Sequence, residues 1–71
     1  MNLDTTEMAK KLVELRGDKT QDEVAKDLGI SKSALSMYEL GKRIPRDSVK
    51  LRFSEYYKKS VQFIFFNLKE H

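Results

Sequence analysis

Residues 21–38 read Gln21-Asp22-Glu23-Val24-Ala25-Lys26-Asp27-Leu28-Gly29-Ile30-Ser31-Lys32-Ser33-Ala34-Leu35-Ser36-Met37-Tyr38. Two short helical patterns meet in this stretch at Gly29-Ile30-Ser31. With only about three residues between them, the two helices must cross steeply. Steep crossing brings backbones close, and Ala25, four residues before Gly29, is the small side chain facing that contact. Gly29 can adopt the left-handed conformation that starts the turn. Leu35 and Tyr38 point back from the second helix, and Val24, Leu28 and Ile30 close the pocket beneath them. Thr20 is a good N-cap for the first helix of the pair, with Glu23 completing a capping-box pattern three residues on. Ser31 caps the second, which runs from Lys32 to Leu40 and stops at Gly41.

The flanking sequence extends this helical character in both directions. Upstream, Met8, Leu12 and Leu15 share one face of a helix from Thr5 to Arg16, ended by Gly17-Asp18. Downstream, Lys42-Arg43-Ile44-Pro45-Arg46 is a loop, because Pro45 bars helix through Ile44. A fourth helix from Ser48 to about Lys58 opens at Arg46 or Asp47 and carries Val49, Phe53 and Tyr56/Tyr57 as its apolar stripe. Ser60 caps a short fifth helix from Val61 to about Asn67, and the tail after Leu68 is expected to fray. Three glycines and one proline in 71 residues are too few for the turns of a sandwich or barrel. The expected fold is all-α: a five-helix bundle forming one domain over residues 1–68, with a tail over 69–71.

The composition excludes several classes of function. There is no cysteine, hence neither a disulfide framework nor a cysteine-based metal site, and the single histidine is the terminal His71. No apolar run approaches the ~18 residues of a transmembrane helix. The polar, acidic N-terminus lacks the apolar segment of a signal peptide, so the chain reads as cytoplasmic and without a membrane partner. No GxxxxGK[ST] loop, metal-ligand cluster or nucleophile–base arrangement supports an enzyme, and no cofactor is expected. Asp22/Glu23 and Glu7/Glu14 sit at capping or solvent-facing positions. The net charge of +3 is unevenly spread. Residues 1–31 sum to −2 and residues 53–71 to +1, whereas residues 32–52 reach +4 through Lys32, Lys42, Arg43, Arg46, Lys50 and Arg52 against Glu39 and Asp47. Such asymmetry points to a face for a polyanion on an otherwise near-neutral domain.

The spacing of Ala25, Gly29 and the surrounding apolar residues is that of a DNA-binding helix-turn-helix. Thr20-Gln21-Asp22-Glu23-Val24-Ala25, Leu28-Gly29-Ile30-Ser31 and Ser36-Met37-Tyr38-Glu39-Leu40-Gly41-Lys42-Arg43-Ile44-Pro45 together resemble the Cro/repressor-type (XRE) helix-turn-helix family of phage, mobile-element and bacterial transcription regulators. The resemblance covers roughly residues 5–67. It implies a sequence-specific regulator of double-stranded DNA, foremost a repressor, that binds a palindromic operator as a dimer with helix 32–40 in the major groove. It also implies roles at particular positions. Lys32 would donate to guanine O6 and N7. Ser33 and Ser36 would reach bases or phosphate, Met37 a thymine methyl, and Ser31 the DNA from the cap position. Gln21 would bind phosphate at the start of the second helix. Lys42, Arg43 and Arg46 would clamp the backbone, with Arg46 reaching the minor groove. Arg16 would pair with Glu39 as a structural tie, alongside the structural Ala25, Gly29, Leu35 and Tyr38.

Two features depart from the family pattern. Arg16 and Thr20 are separated by three residues where many members have five, so the first turn is shortened. Phe63 stands where many relatives carry a polar residue or tyrosine. The run Phe63-Ile64-Phe65-Phe66 cannot place all four rings on one helical face, and Val61, Ile64 and Phe65 are the better core candidates. Phe63 and Phe66 are then exposed, as is Leu51, about 200° from the Val49/Phe53 stripe. Exposed large apolar groups on a small domain suggest a partner surface. Leu51, Phe63 and Phe66 are accordingly the candidates for a homodimer contact, one that is weak without DNA. The alternative is a protein-interaction module of the same fold, such as an antitoxin-like partner-binding protein, and an antirepressor or toxin-type protein is a further candidate partner.

Overall fold

The computed structural model describes residues 5–66. Within them the chain forms five helices and no strand: α1 (Thr5–Arg16), α2 (Gln21–Leu28), α3 (Lys32–Glu39), α4 (Asp47–Tyr57) and α5 (Val61–Phe65). The expected reach of α5 to Asn67, the tail after Leu68, His71 and the ends of the 1–68 domain lie outside the described residues.

Three helix starts follow directly from hydroxyl side chains that replace a missing backbone acceptor. Thr20 Oγ1 accepts from the Glu23 amide at 3.1 Å, Ser31 Oγ from the Ala34 amide at 3.0 Å, and Ser60 Oγ from the Phe63 amide at 3.0 Å. Only half of the expected capping box forms, because the Glu23 carboxylate accepts from the Thr20 hydroxyl (3.3 Å) rather than from the Thr20 backbone amide. α4 has no side-chain cap; it begins after Arg46, next to the buried Pro45.

The helix ends on either side of the turn are closed by glycine. Gly29 has φ 72°, and the Ile30 amide reaches back to the Ala25 carbonyl at 3.0 Å. The paired return bonds (Gly29 to Lys26, Ile30 to Ala25) make a Schellman motif, which any side chain at Gly29 would strain. α3 ends one residue earlier than expected, with Leu40 as its C-cap and Gly41 at φ 72° beyond it. A Cβ on Gly41 would lie 3.0 Å from the Thr5 carbonyl oxygen, so the end of α3 is pressed against the start of α1.

α3 is flanked by α1 and α2, α2 also meets α4, and α5 closes the bundle against α1 and α4. Phe53 is fully buried at the centre. Its ring meets Tyr38 edge-on at 6.1 Å, Phe65 edge-on at 5.7 Å and Tyr57 in a stack at 6.0 Å. Truncating such a side chain to alanine costs about 3–5 kcal/mol. Tyr57 keeps its ring in this cluster, but its hydroxyl is buried with no hydrogen-bond partner among the described residues. Burial, followed by the nearby Glu39 carboxylate, pushes that phenol up to about 12.

One sequence expectation fails here. Phe63 is not exposed. Its ring packs against the core, half-buried, with the Lys11 ammonium 4.6 Å from its centre and that of Lys59 at 5.6 Å. Lys11 also donates to the Phe63 carbonyl at 2.7 Å, which ties α5 to α1. A periodicity count on α5 alone cannot register cover supplied by a lysine stem 52 residues earlier in the chain. Phe66 and Leu51 do remain exposed, at 41% and 59%.

Candidate nucleic-acid interface

With about 100° between successive residues, α3 turns Leu35, Tyr38 and Glu39 inward and leaves the opposite side to solvent. That outer side carries Lys32, Ser33, Ser36, Met37 and the C-cap residue Leu40. Leu40 is 62% exposed and stands between Ser36 and Met37 in angle. Sequence reasoning passed it over, although the same 100° count would have found it. Ile44, also exposed, lies in the loop that follows. α3 therefore offers one cation, two hydroxyls and two large apolar groups.

The face is held from beneath by Glu39. This carboxylate is only 3% exposed and accepts from Arg16 Nε at 2.9 and 3.1 Å and from Gln21 Nε2 at 2.8 Å. Arg16 NH1 donates in turn to the Lys19 carbonyl at 2.8 Å. α1, the α1–α2 turn, α2 and α3 are thus joined at one ionic centre. A carboxylate can only accept, so Gln21 must turn its NH2 inward. The expected phosphate ligand is thereby partly committed to the fold.

The six central cations divide. Lys50 is buried, with its ammonium 3.6 Å from Asp47 Oδ1 and 4.9 Å above the Phe66 ring. Arg52 NH1 donates to the Leu28 carbonyl at 3.3 Å and so covers the end of α2. The remaining four, Lys32, Lys42, Arg43 and Arg46, are exposed and border α3 at its two ends. Lys42, Arg43 and Arg46 make no ion pair among the described residues, whereas Lys32 Nζ lies 3.8 Å from Asp22 Oδ2. Ser31 is exposed, with its hydroxyl engaged as the cap of α3.

On another side of the bundle, Leu51 and Phe66 line an open groove of about 560 Å³ together with Val61, Gln62 and the stem of Lys50. Of the three dimer candidates, these two line the groove and Phe63 does not. Elsewhere, Lys19 donates to the Tyr56 hydroxyl at 3.0 Å, and that hydroxyl donates to Asp27 Oδ2 at 2.7 Å. The first of these bonds holds the Lys19 ammonium above the usual lysine range. No described helix is long and apolar enough to cross a membrane.

A protein-family model described as helix-turn-helix matches residues 10–64, which take in the whole of α2, the turn and α3. Neither the curated proteins nor the solved structures yield a match.

Proposed function

The chain belongs to the Cro/repressor-type (XRE) helix-turn-helix family of DNA-binding regulators, and we propose that it is a sequence-specific repressor that binds a palindromic operator as a dimer with α3 in the major groove. The observation that carries this reading is the placement of charge. The fold buries one of the six central cations, Lys50, ties a second, the exposed Arg52, to the Leu28 carbonyl, and leaves the four that border α3 open.

In this reading Lys32 donates to a guanine edge and Met37 meets a thymine methyl. Ser33 and Ser36 reach bases or phosphate between them. Lys42, Arg43 and Arg46 grip the strands beyond the C-terminal end of α3, Arg46 from the minor groove. At α2 the phosphate is held chiefly by first-turn amides and the positive end of the helix dipole, with Ser31 nearby and Gln21 oriented by Glu39. The dimer contact is the Leu51/Phe66 groove. It buries less than the ~800 Å² per partner of a standard interface, so pairing is weak until DNA aligns two copies.

Selection of bound duplexes from a random pool tests the proposal. The expected product is an inverted repeat whose half-sites lie about one helical turn, 10–10.5 base pairs, apart. Affinity for random duplex should fall linearly with the logarithm of salt concentration. Retention of no duplex even at low salt sinks the DNA-binding reading, and an unrepeated motif sinks the dimer. A promoter reporter carrying the selected site distinguishes a repressor from an activator.

A further inference from the structure

The Asp22 carboxylate lies 3.8 Å from the ammonium of the proposed base reader, Lys32. Both side chains are well exposed, at 74% and 60%. Since Lys32 points to the DNA, a carboxylate at that distance stands on the DNA side too, where a negative charge opposes phosphate. Its neighbour Glu23 sits in the same first turn of α2 and can complement the helix dipole, but is turned to Thr20. Lys32 is also the one open cation bordering α3 that has an acidic partner among the described residues.

Resting on the DNA-binding reading, we infer that Asp22 is a positioning residue that raises sequence discrimination by restraining Lys32. An ammonium carries three N–H donors. One can face Asp22 while the other two face N7 and O6 of a guanine, the pair of acceptors that marks that base in the major groove. A phosphate oxygen, by contrast, competes with Asp22 for the same positive charge, and reaching it draws Lys32 away from its partner. Asp22 therefore weakens the phosphate contact that Lys32 can make on any sequence and spares the contact that it makes at guanine. The ratio of cognate to random affinity rises, and that ratio is the biologically relevant quantity against a genome of competing sites.

The test is a cycle of four full-length proteins: wild type, Asp22→Asn, Lys32→Ala and the double variant. Each is titrated against the duplex recovered by selection and against random duplex over a range of salt, with melting curves to verify folding. An exposed pair of this kind is worth about a two- to fivefold change in an equilibrium constant. Asp22→Asn is expected to tighten random binding by that factor, to steepen the salt dependence by up to about one ion, and to lower the cognate-to-random ratio. In the Lys32→Ala background the same substitution should leave the ratio unmoved. Wild-type discrimination that survives Asp22→Asn overturns the inference and leaves the DNA-binding reading standing. An equal fall of the ratio in both backgrounds also overturns it, because Asp22 then acts on DNA independently of Lys32. A wild-type protein that binds no duplex overturns both.

Discussion

The α2–α3 face and the α4–α5 groove are the two exposed surfaces with a proposed role, and they are supported differently. Beneath α3 lie a buried carboxylate with three close donor contacts, a serine cap and two glycine-closed helix ends. Beneath Phe66 lie a lysine stem and a five-residue helix. A face that reads bases must hold its side chains to a narrow geometry, because misplacement costs hydrogen bonds outright. A groove that meets another apolar surface needs area more than direction, since hydrophobic burial is non-directional. The two faces should therefore fail differently.

The largest expected effect is at the ionic centre. Arg16→Ala leaves Glu39 buried beside Gln21 alone, and breaking such a pair typically costs about 3–5 kcal/mol. Arg16 is itself one-fifth exposed, which favours the lower end. Chemical denaturation reads the loss directly. A variant as stable as wild type would mean that the α3 face does not depend on that centre. Next comes the face itself. Lys32→Ala should cost about 1–3 kcal/mol on the selected site and relax preference at one base pair, whereas Arg43→Ala should weaken all sequences alike and reduce the salt slope by about one. Equal losses on cognate and random DNA for Lys32→Ala would remove it from base readout.

The groove is probed by a pair of substitutions with opposite expected outcomes. Leu51→Glu places a charge on an exposed position and should yield a folded monomer with reduced operator affinity, seen by analytical ultracentrifugation beside wild type. Phe63→Glu should instead lower stability by about 1–3 kcal/mol, because it puts a carboxylate against the core. An unchanged dimer in Leu51→Glu would move the interface elsewhere. The smallest effect is expected at Tyr57. Removing an unpartnered hydroxyl by Tyr57→Phe should change stability by less than about 0.5 kcal/mol near neutral pH. At high pH the sign is set by linkage. The folded phenol ionises near 12 and the unfolded one near 10, so the unfolded state loses its proton first. Wild-type stability should then fall as pH climbs from 10 to 12, and Tyr57→Phe should remove that part of the fall. Parallel alkaline unfolding curves for the two proteins would deny the burial of that hydroxyl.

Much of the α2–α3 unit was legible because its determinants are local. Thr20, Ser31 and Ser60 cap helices through bonds that span three residues, and Gly29 and Gly41 end them through backbone conformation. Ala25, Leu35 and Tyr38 face inward by helical period, as counted from the chain. Leu40 faces outward by the same period, between Ser36 and Met37. Phe63 differs for another reason, since it owes its cover to a side chain on another helix.

The sequence by itself determined that this is an all-helical domain with a helix-turn-helix, where its helices start, and which stretch carries the positive charge. Caps, turns and periodicity act over about one turn of helix, and such short-range terms are the same wherever the segment lies in the fold. Only the tertiary structure decided which of the cations remain free, that Glu39 holds Gln21 as well as Arg16, that Phe63 is covered, and that Asp22 stands against Lys32. Most of these are appositions between helices, and long flexible side chains such as lysine and arginine take their partners from whatever the packed bundle brings within reach.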